Sequence, residues 1–181
     1  MTLPAEHAAS YYAATARDTN RYPHLEGDID ADVCVVGGGL TGVNTALELA
    51  ERGLSVVLLE GRRVGWGASG RNGGQLIRGI GHDVNGFARY VGEDGVRYLK
   101  QAGIDSVTLV AERIARHGIE CDLRWGFCEL ANTPAQFAAF GAEQQELAAL
   151  GYQPHTYRVP AERLREVVGS DRYAGGMGDM G

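Results

Sequence analysis

Gly37, Gly39 and Gly42 spell G-x-G-x-x-G, a spacing whose chemistry is pyrophosphate binding when a strand leads into it and a helix follows. The first glycine permits a tight turn, the second lets the anion touch the backbone, and the third lets helix and strand pack closely. Unpaired N–H groups at the helix start then face the negative charge. Glu60, eighteen residues after Gly42, stands where a carboxylate accepts both ribose hydroxyls of an adenosine. Such charge-assisted hydrogen bonds contribute about 1.5–3 kcal/mol each. The same carboxylate would repel a 2′-phosphate, which argues against NADP. The plainer reading, in which the glycines only make a turn and Glu60 caps a loop, leaves the common register of all these residues to coincidence.

The ADP half is shared by NAD and FAD, so the fingerprint alone does not separate them. From Gly61 to Gly81 there are eight glycines in twenty-one residues, and the chain here is read as an extended loop with accessible N–H groups. NAD needs no second cradle, whereas FAD continues past its pyrophosphate into ribityl and isoalloxazine groups that backbone and small polar side chains must line. The stretch GWGASGRNGGQ, residues 65–75, therefore reads as the wall of a flavin tunnel. Ser69 and Asn72 are suited to hydrogen-bond phosphate or ribityl oxygens, and Arg63 or Arg71 to balance phosphate charge. A surface Ω-loop without a ligand is the alternative.

These residues need elements to position them. Val33-Cys34-Val35-Val36 is a continuous apolar run, the pattern of a strand buried on both faces. Leu40, Val43, Leu47 and Ala50 recur at spacings of three and four and predict an amphipathic helix that closes at Gly53. Val56 to Leu59 predicts a second strand ending in Glu60. The result is a βαβ unit and hence a parallel sheet with a right-handed crossover. Residues 1–30 are polar and tyrosine-bearing and read as an arm on the surface. Beyond the loop, Val96, Leu99, Gly103, Val107, Val110 and Ile114 predict a long helix over 93–117. Residues 119–131 read as strand with a turn at Trp125-Gly126. Thr133-Pro134 is an N-cap followed by a proline at the first helical position, opening a helix that ends near Gly151; Pro160 to Val168 repeats the device and Gly169 ends it.

Composition narrows the function classes. A chain of 181 residues, 44% hydrophobic, has room for one domain and part of a second. A formal charge of −6 with 17 scattered Lys and Arg argues against a surface that tracks phosphates, so no nucleic-acid partner is expected. No apolar run reaches the length of a membrane span, and residues 1–30 lack the apolar core of a secretory signal. Three irregularly spaced cysteines form no disulfide framework, and a cytoplasmic protein is expected. Cys34 is expected buried in the first strand, and Cys121 and Cys128 on a strand face. With His117 these match no zinc pattern, so no metal is expected. Ser69 in Gly67-Ala68-Ser69-Gly70 lacks the closing glycine and feeding strand of a nucleophile elbow. His82-Asp83 is a candidate proton relay, weighed against a solvated loop histidine. The charges around Arg113 to His117 and Glu143 to Glu146 read as solvated faces.

SYYAATA at 10–16, DADVCVVGGGLTGVNTALELAERGLSVVLLE at 30–60, RVGWGASGRNGGQ at 63–75, IECDLRWGF at 119–127 and SDRYAGG at 170–176 resemble the FAD-dependent D-amino-acid-oxidase superfamily. The likeness covers nearly the whole chain, and its Ser-Gly-Arg-Asn-Gly-Gly-Gln stretch is far more specific than G-x-G-x-x-G. The resemblance implies an α/β fold: a Rossmann-like FAD-binding βαβ parallel sheet with its flavin loop over 31–82, then the beginning of an α+β substrate domain over 83–181. It implies FAD as cofactor and a small-molecule amine as substrate, oxidised at a C–N bond by hydride transfer to flavin. Within the superfamily the likeness is greatest to the branch acting on gamma-glutamylputrescine in putrescine breakdown, with oxygen as acceptor. A D-amino acid, glycine or sarcosine as substrate stays open, as does a non-catalytic FAD-binding fragment. The cofactor-binding residues expected are Gly37, Gly39, Leu40, Thr41, Gly42, Glu60, Gly61, Arg63, Ala68, Ser69, Asn72, Gly73, Gly74 and Gln75. No catalytic residue is assigned, and the oligomeric state is left open. Some relatives attach FAD covalently through a histidine where this chain has Asn72, so no attachment is expected there. Family chains are more than twice this length, which implies a fragment that holds the ADP end of FAD better than the flavin end and is not by itself a competent oxidase.

Overall fold

In the computed structural model the described residues are 6–17, 20–81, 83–152 and 155–181, and the chain divides into two compact units, residues 1–77 and 78–181. The arm of the first unit carries one short helix, α1 (Tyr11–Thr15), whose N-cap Ser10 accepts the Ala13 N–H on its hydroxyl at 3.2 Å. β1 (Val33–Val36) then runs into α2 (Leu40–Glu51) and on to β2 (Val56–Leu59). The two strands pair in parallel, Val33 opposite Val56 and Val36 opposite Leu59. This is the expected βαβ unit, and α2 closes at Arg52 with Gly53 just beyond it at φ 86°.

The expected burial of β1 on both faces is not found. Val33 and Val35 are half-buried, but Val36 is 84% exposed and Cys34 is also exposed. The reason is geometric: α2 packs against one face of the two-stranded sheet, and alternate side chains point to the other. An apolar run therefore marks strand here without marking two-sided cover.

The second unit is built on an antiparallel sheet. A 3-10 turn (Val84–Phe87), capped by the Asp83 carboxylate on the Asn85 N–H at 3.0 Å, leads into α3 (Ala88–Arg116). Gly92, at φ 70° and ψ 178°, breaks α3 near its start, so the expected helix over 93–117 corresponds to the part beyond the kink. β3 (Phe127–Ala131), α4 (Pro134–Ala149), β4 (Thr156–Pro160), α5 (Arg165–Val168) and β5 (Gly175–Asp179) follow, with β5 central in the order β3-β5-β4. α4 opens as its sequence predicts: Thr133 and Gln136 form a reciprocal capping box with Pro134 inside the first turn. Strand occupies only the last part of 119–131, from Phe127 onward. Pro160 closes β4, and a 3-10 turn (Ala161–Arg163) precedes the single turn of α5, where a continuous helix was expected.

The sequence reading misses both β4 and β5: in β5 Gly-Gly-Met-Gly-Asp carries no strand propensity, whereas Thr-Tyr-Arg-Val-Pro of β4 has strand-favouring residues that went unread. The glycines of β5 are packing features. A Cβ on Gly178 would run into the ring of Tyr157, its cross-strand partner, so the aromatic face takes the place of a side chain. Met177 is fully buried with Ala131 and Phe140, and Phe137 meets Phe140 edge to face at 6.4 Å. Arg113, expected on a solvated face, is 8% exposed, while Cys121, expected on a strand face, is exposed and precedes β3. Glu143 and Glu146, also read as solvated, pair with Arg78 and Lys100. No helix among the described residues is long and apolar enough to cross a membrane.

Candidate dinucleotide site

The fingerprint turn lies between β1 and α2 and is closed by its own backbone. Gly37 takes φ 107°, a region closed to residues with a Cβ, and donates its N–H to the Leu59 carbonyl at 2.7 Å. A Cβ on Gly42 would fall on the Gly37 carbonyl oxygen, so this glycine sets how closely α2 approaches β1. Leu40 N–H donates to the Ser69 hydroxyl at 2.9 Å. The N–H groups of Gly39, Thr41 and Gly42 have no protein acceptor among the described residues. No acidic side chain lies in the first turn of α2. The helix thus presents donors and the positive end of its dipole, a donor set that fits a pyrophosphate.

Glu60 crosses the mouth of this turn. Its Oε2 accepts the Gly38 N–H at 2.7 Å and its Oε1 accepts the Arg62 N–H at 2.8 Å. Each oxygen keeps acceptor capacity for a further hydroxyl. Ser69, in a 3-10 turn (Ala68–Gly70), accepts from Leu40 and leaves its own hydroxyl hydrogen to donate outward. Gly65 N–H donates to the Gly38 carbonyl at 2.8 Å, docking the glycine-rich loop on the fingerprint.

The structure brings Gly37, Gly39, Leu40, Thr41, Gly42, Glu60 and Ser69 together. The other candidates have their described contacts within the loop or, for Arg63, with the arm. Asn72 Nδ2 donates to the Ser69 carbonyl at 2.9 Å and its Oδ1 accepts the Gly74 N–H at 2.8 Å, so its polar atoms hold the loop's own shape. Arg63 pairs with Glu6 at 3.3 Å, and Arg71 donates to the Gly67 carbonyl while its guanidinium lies 5.6 Å from the Trp66 ring centroid. Gly61, Gly73, Gly74 and Gln75 are exposed, and none has a hydrogen bond to the fingerprint turn among the described residues. His82 lies outside the described residues, so the relay with Asp83 is not described. Among the described residues no group of three or more His, Cys, Asp or Glu could hold a metal ion.

The second unit holds a polar cluster that the sequence reading did not anticipate. Asp179, at the end of β5, is fully buried and accepts from Arg78, from the Tyr152 hydroxyl at 3.0 Å and from the Gly181 N–H at 3.0 Å. Arg78 also donates to Glu143 at 2.8 Å, with the rings of Tyr152 and Phe127 at 5.4 and 5.7 Å. Burial first, then the hydrogen bond to Asp179, push the Tyr152 phenol up to about 12. Arg78 and Asp179 are 101 residues apart, and no local pattern announces such a pair. Near it, a cleft of about 330 Å³ is lined by Ile104, Val107, Trp125, Tyr152, His155 and Met180 among others. None of the expected site residues lies there.

Residues 32–181 match the family described as DAO, FAD dependent oxidoreductase. The chain is 40% identical over 174 residues to gamma-glutamylputrescine oxidoreductase of Escherichia coli (strain K12), covering 96% of this chain and 41% of that protein. It is 38% identical over 175 residues to the probable oxidoreductase OrdL of Haemophilus influenzae, covering 96% and 40%. The chain therefore spans about two fifths of the length of these relatives. Among solved structures, L-proline dehydrogenase from P. horikoshii aligns with a TM-score of 0.62 at 21% identity, over 81% of this chain and 35% of that one. Glycine oxidase from Geobacillus kaustophilus aligns with a TM-score of 0.56 at 22% identity, over 83% and 40%. The α/β fold, a parallel βαβ unit followed by an antiparallel sheet, is that of the N-terminal part of such enzymes. With a family match running from Asp32 to Gly181, this chain belongs to the FAD-dependent oxidoreductase (DAO) family.

Proposed function

We propose that residues 37–75 hold the ADP part of FAD and that the enzyme they serve oxidises a C–N bond of a small amine in the cytoplasm. The observation that carries the reading is the trio of unengaged N–H groups on Gly39, Thr41 and Gly42 at the start of α2. They would receive the pyrophosphate oxygens, as helix N-termini do. Ser69 would add a donated hydroxyl, and Glu60 would accept from the ribose hydroxyls while its bond to Gly38 holds it across the turn. Asn72, with Ala68, Gly73, Gly74 and Gln75, would shape the loop along the rest of the cofactor. When bound, FAD supplies the acceptor for a hydride from the carbon next to the amine nitrogen, and the resulting imine hydrolyses to a carbonyl and an amine.

Gamma-glutamylputrescine is the substrate favoured by the identity to gamma-glutamylputrescine oxidoreductase, with oxygen as the electron acceptor. No described residue is assigned to the chemical step, so the contribution derived for this chain is cofactor binding. The test is the visible absorption spectrum of the purified chain, with the supernatant after denaturation assayed for FAD. Flavin bands and released FAD are expected. Bleaching on anaerobic addition of gamma-glutamylputrescine, and not of D-alanine, glycine or sarcosine, would support the substrate. Flavin without any bleaching would favour a cofactor-binding piece that does not turn over.

A further inference from the structure

One residue of the N-terminal arm holds both ends of the turn that docks on the fingerprint. The Glu6 carboxylate accepts from Arg21 at 2.9 Å and from Arg63 at 3.3 Å, and the Glu6 backbone carbonyl accepts the Trp66 indole N–H at 2.8 Å. Arg63 and Trp66 are the first and last residues of a turn closed by the Trp66 N–H on the Arg63 carbonyl at 2.9 Å. Inside that turn Gly65 donates to the Gly38 carbonyl at 2.8 Å, and Val64 lies against Gly38. The line of contacts runs from the arm, through the turn, to the residue between the first two glycines of G-x-G-x-x-G. Arg63 in this line has a side chain only 22% exposed.

We propose that Glu6 is a positioning residue of the dinucleotide site: it fixes the Arg63–Trp66 turn against Gly38 and sets where the Arg63 guanidinium stands for an anionic ligand. This rests on the reading of residues 37–75 as the FAD cradle. Each ion pair shares the exposed Glu6 carboxylate and is weak on its own. The constraint comes from three bonds converging on one residue, two from its side chain and one from its backbone. Glu6 arrives from a segment remote in sequence, so the arm becomes part of the wall of the site. It is more than a surface extension.

The test uses the whole 181-residue chain in a Trp125→Phe background, which leaves Trp66 as the one tryptophan of the two. Emission of Trp66 in the apoprotein reports on the turn, and titration with FAD reports on the site. Glu6→Ala is expected to shift Trp66 emission to the red and to weaken FAD binding by about two- to fivefold. Glu6→Gln keeps the length and one acceptor but not the charge, and is expected to restore emission more fully than affinity. In an Arg63→Gln background, Glu6→Ala should produce little further loss of affinity, because its partner is already gone. Unchanged emission and affinity in Glu6→Ala, or losses that simply add in the double variant, overturn the proposal. An unsubstituted chain that takes up no FAD overturns the cradle reading and the ligand role of Glu6 with it, while the emission shift still decides whether Glu6 sets the turn.

Discussion

At the scale of single residues, the two acids that matter most do different work. Glu60 bridges the Gly38 and Arg62 N–H groups, so it holds the fingerprint turn before any ligand arrives. Asp179 is fully buried among Arg78, Tyr152 and the Gly181 N–H. Tyr152→Phe keeps the ring but leaves Asp179 one donor short, and should cost about 1–3 kcal/mol at neutral pH by denaturant unfolding. The sign of its pH dependence is set by a folded pKa raised from 10 to about 12. The unfolded chain releases the phenol proton first, so the stability held by the neutral hydroxyl is complete below pH 10 and drains away between 10 and 12. Melting profiles over that window should fall in the parent and flatten in Tyr152→Phe. Glu60 was legible in the sequence because position after a strand is a local signal. Asp179 was not, because its partners are gathered from across the unit.

At the scale of elements, what the sequence disclosed followed local pattern. β1, α2 and β2 have the boundaries that periodicity and the glycines mark, and α4 begins at the Thr133-Pro134 cap. β5 stayed hidden because three of its five residues are glycine, and its strand character comes from the neighbours that cover it, Tyr157 over Gly178 among them. The exposure of Cys34 and Val36 departed from expectation for the opposite reason: their type encodes burial, and α2 packs on the face of the sheet that they do not point to. In the site, the bond of Ser69 to the Leu40 N–H of the fingerprint turn, the commitment of Asn72 to its own loop and that of Arg63 to Glu6 all depended on contacts no spacing reveals. The packing of α2 on β1 gives a direct prediction. Gly42→Ala places a methyl on the Gly37 carbonyl, so α2 must shift; the expected cost is about 1–3 kcal/mol of stability with loss of FAD binding. Denaturant melts and FAD titration of that variant check both parts.

For the molecule as a whole, the chain has two units, each with its own sheet, and spans about two fifths of the relatives it matches. The first unit carries the features that argue for a dinucleotide, and the family match extends through the second. On the proposed reading, FAD lies against the fingerprint turn. The measurement that bears on it most directly is the dissociation constant for FAD of the parent chain, of Gly39→Val and of Glu60→Ala, by titration of apoprotein. Gly39→Val should abolish binding, because its side chain occupies the space of the pyrophosphate. Glu60→Ala should weaken binding by about 2–3 kcal/mol as its charge-assisted bonds are lost. Equal affinity in all three would place the ligand elsewhere and contradict the account.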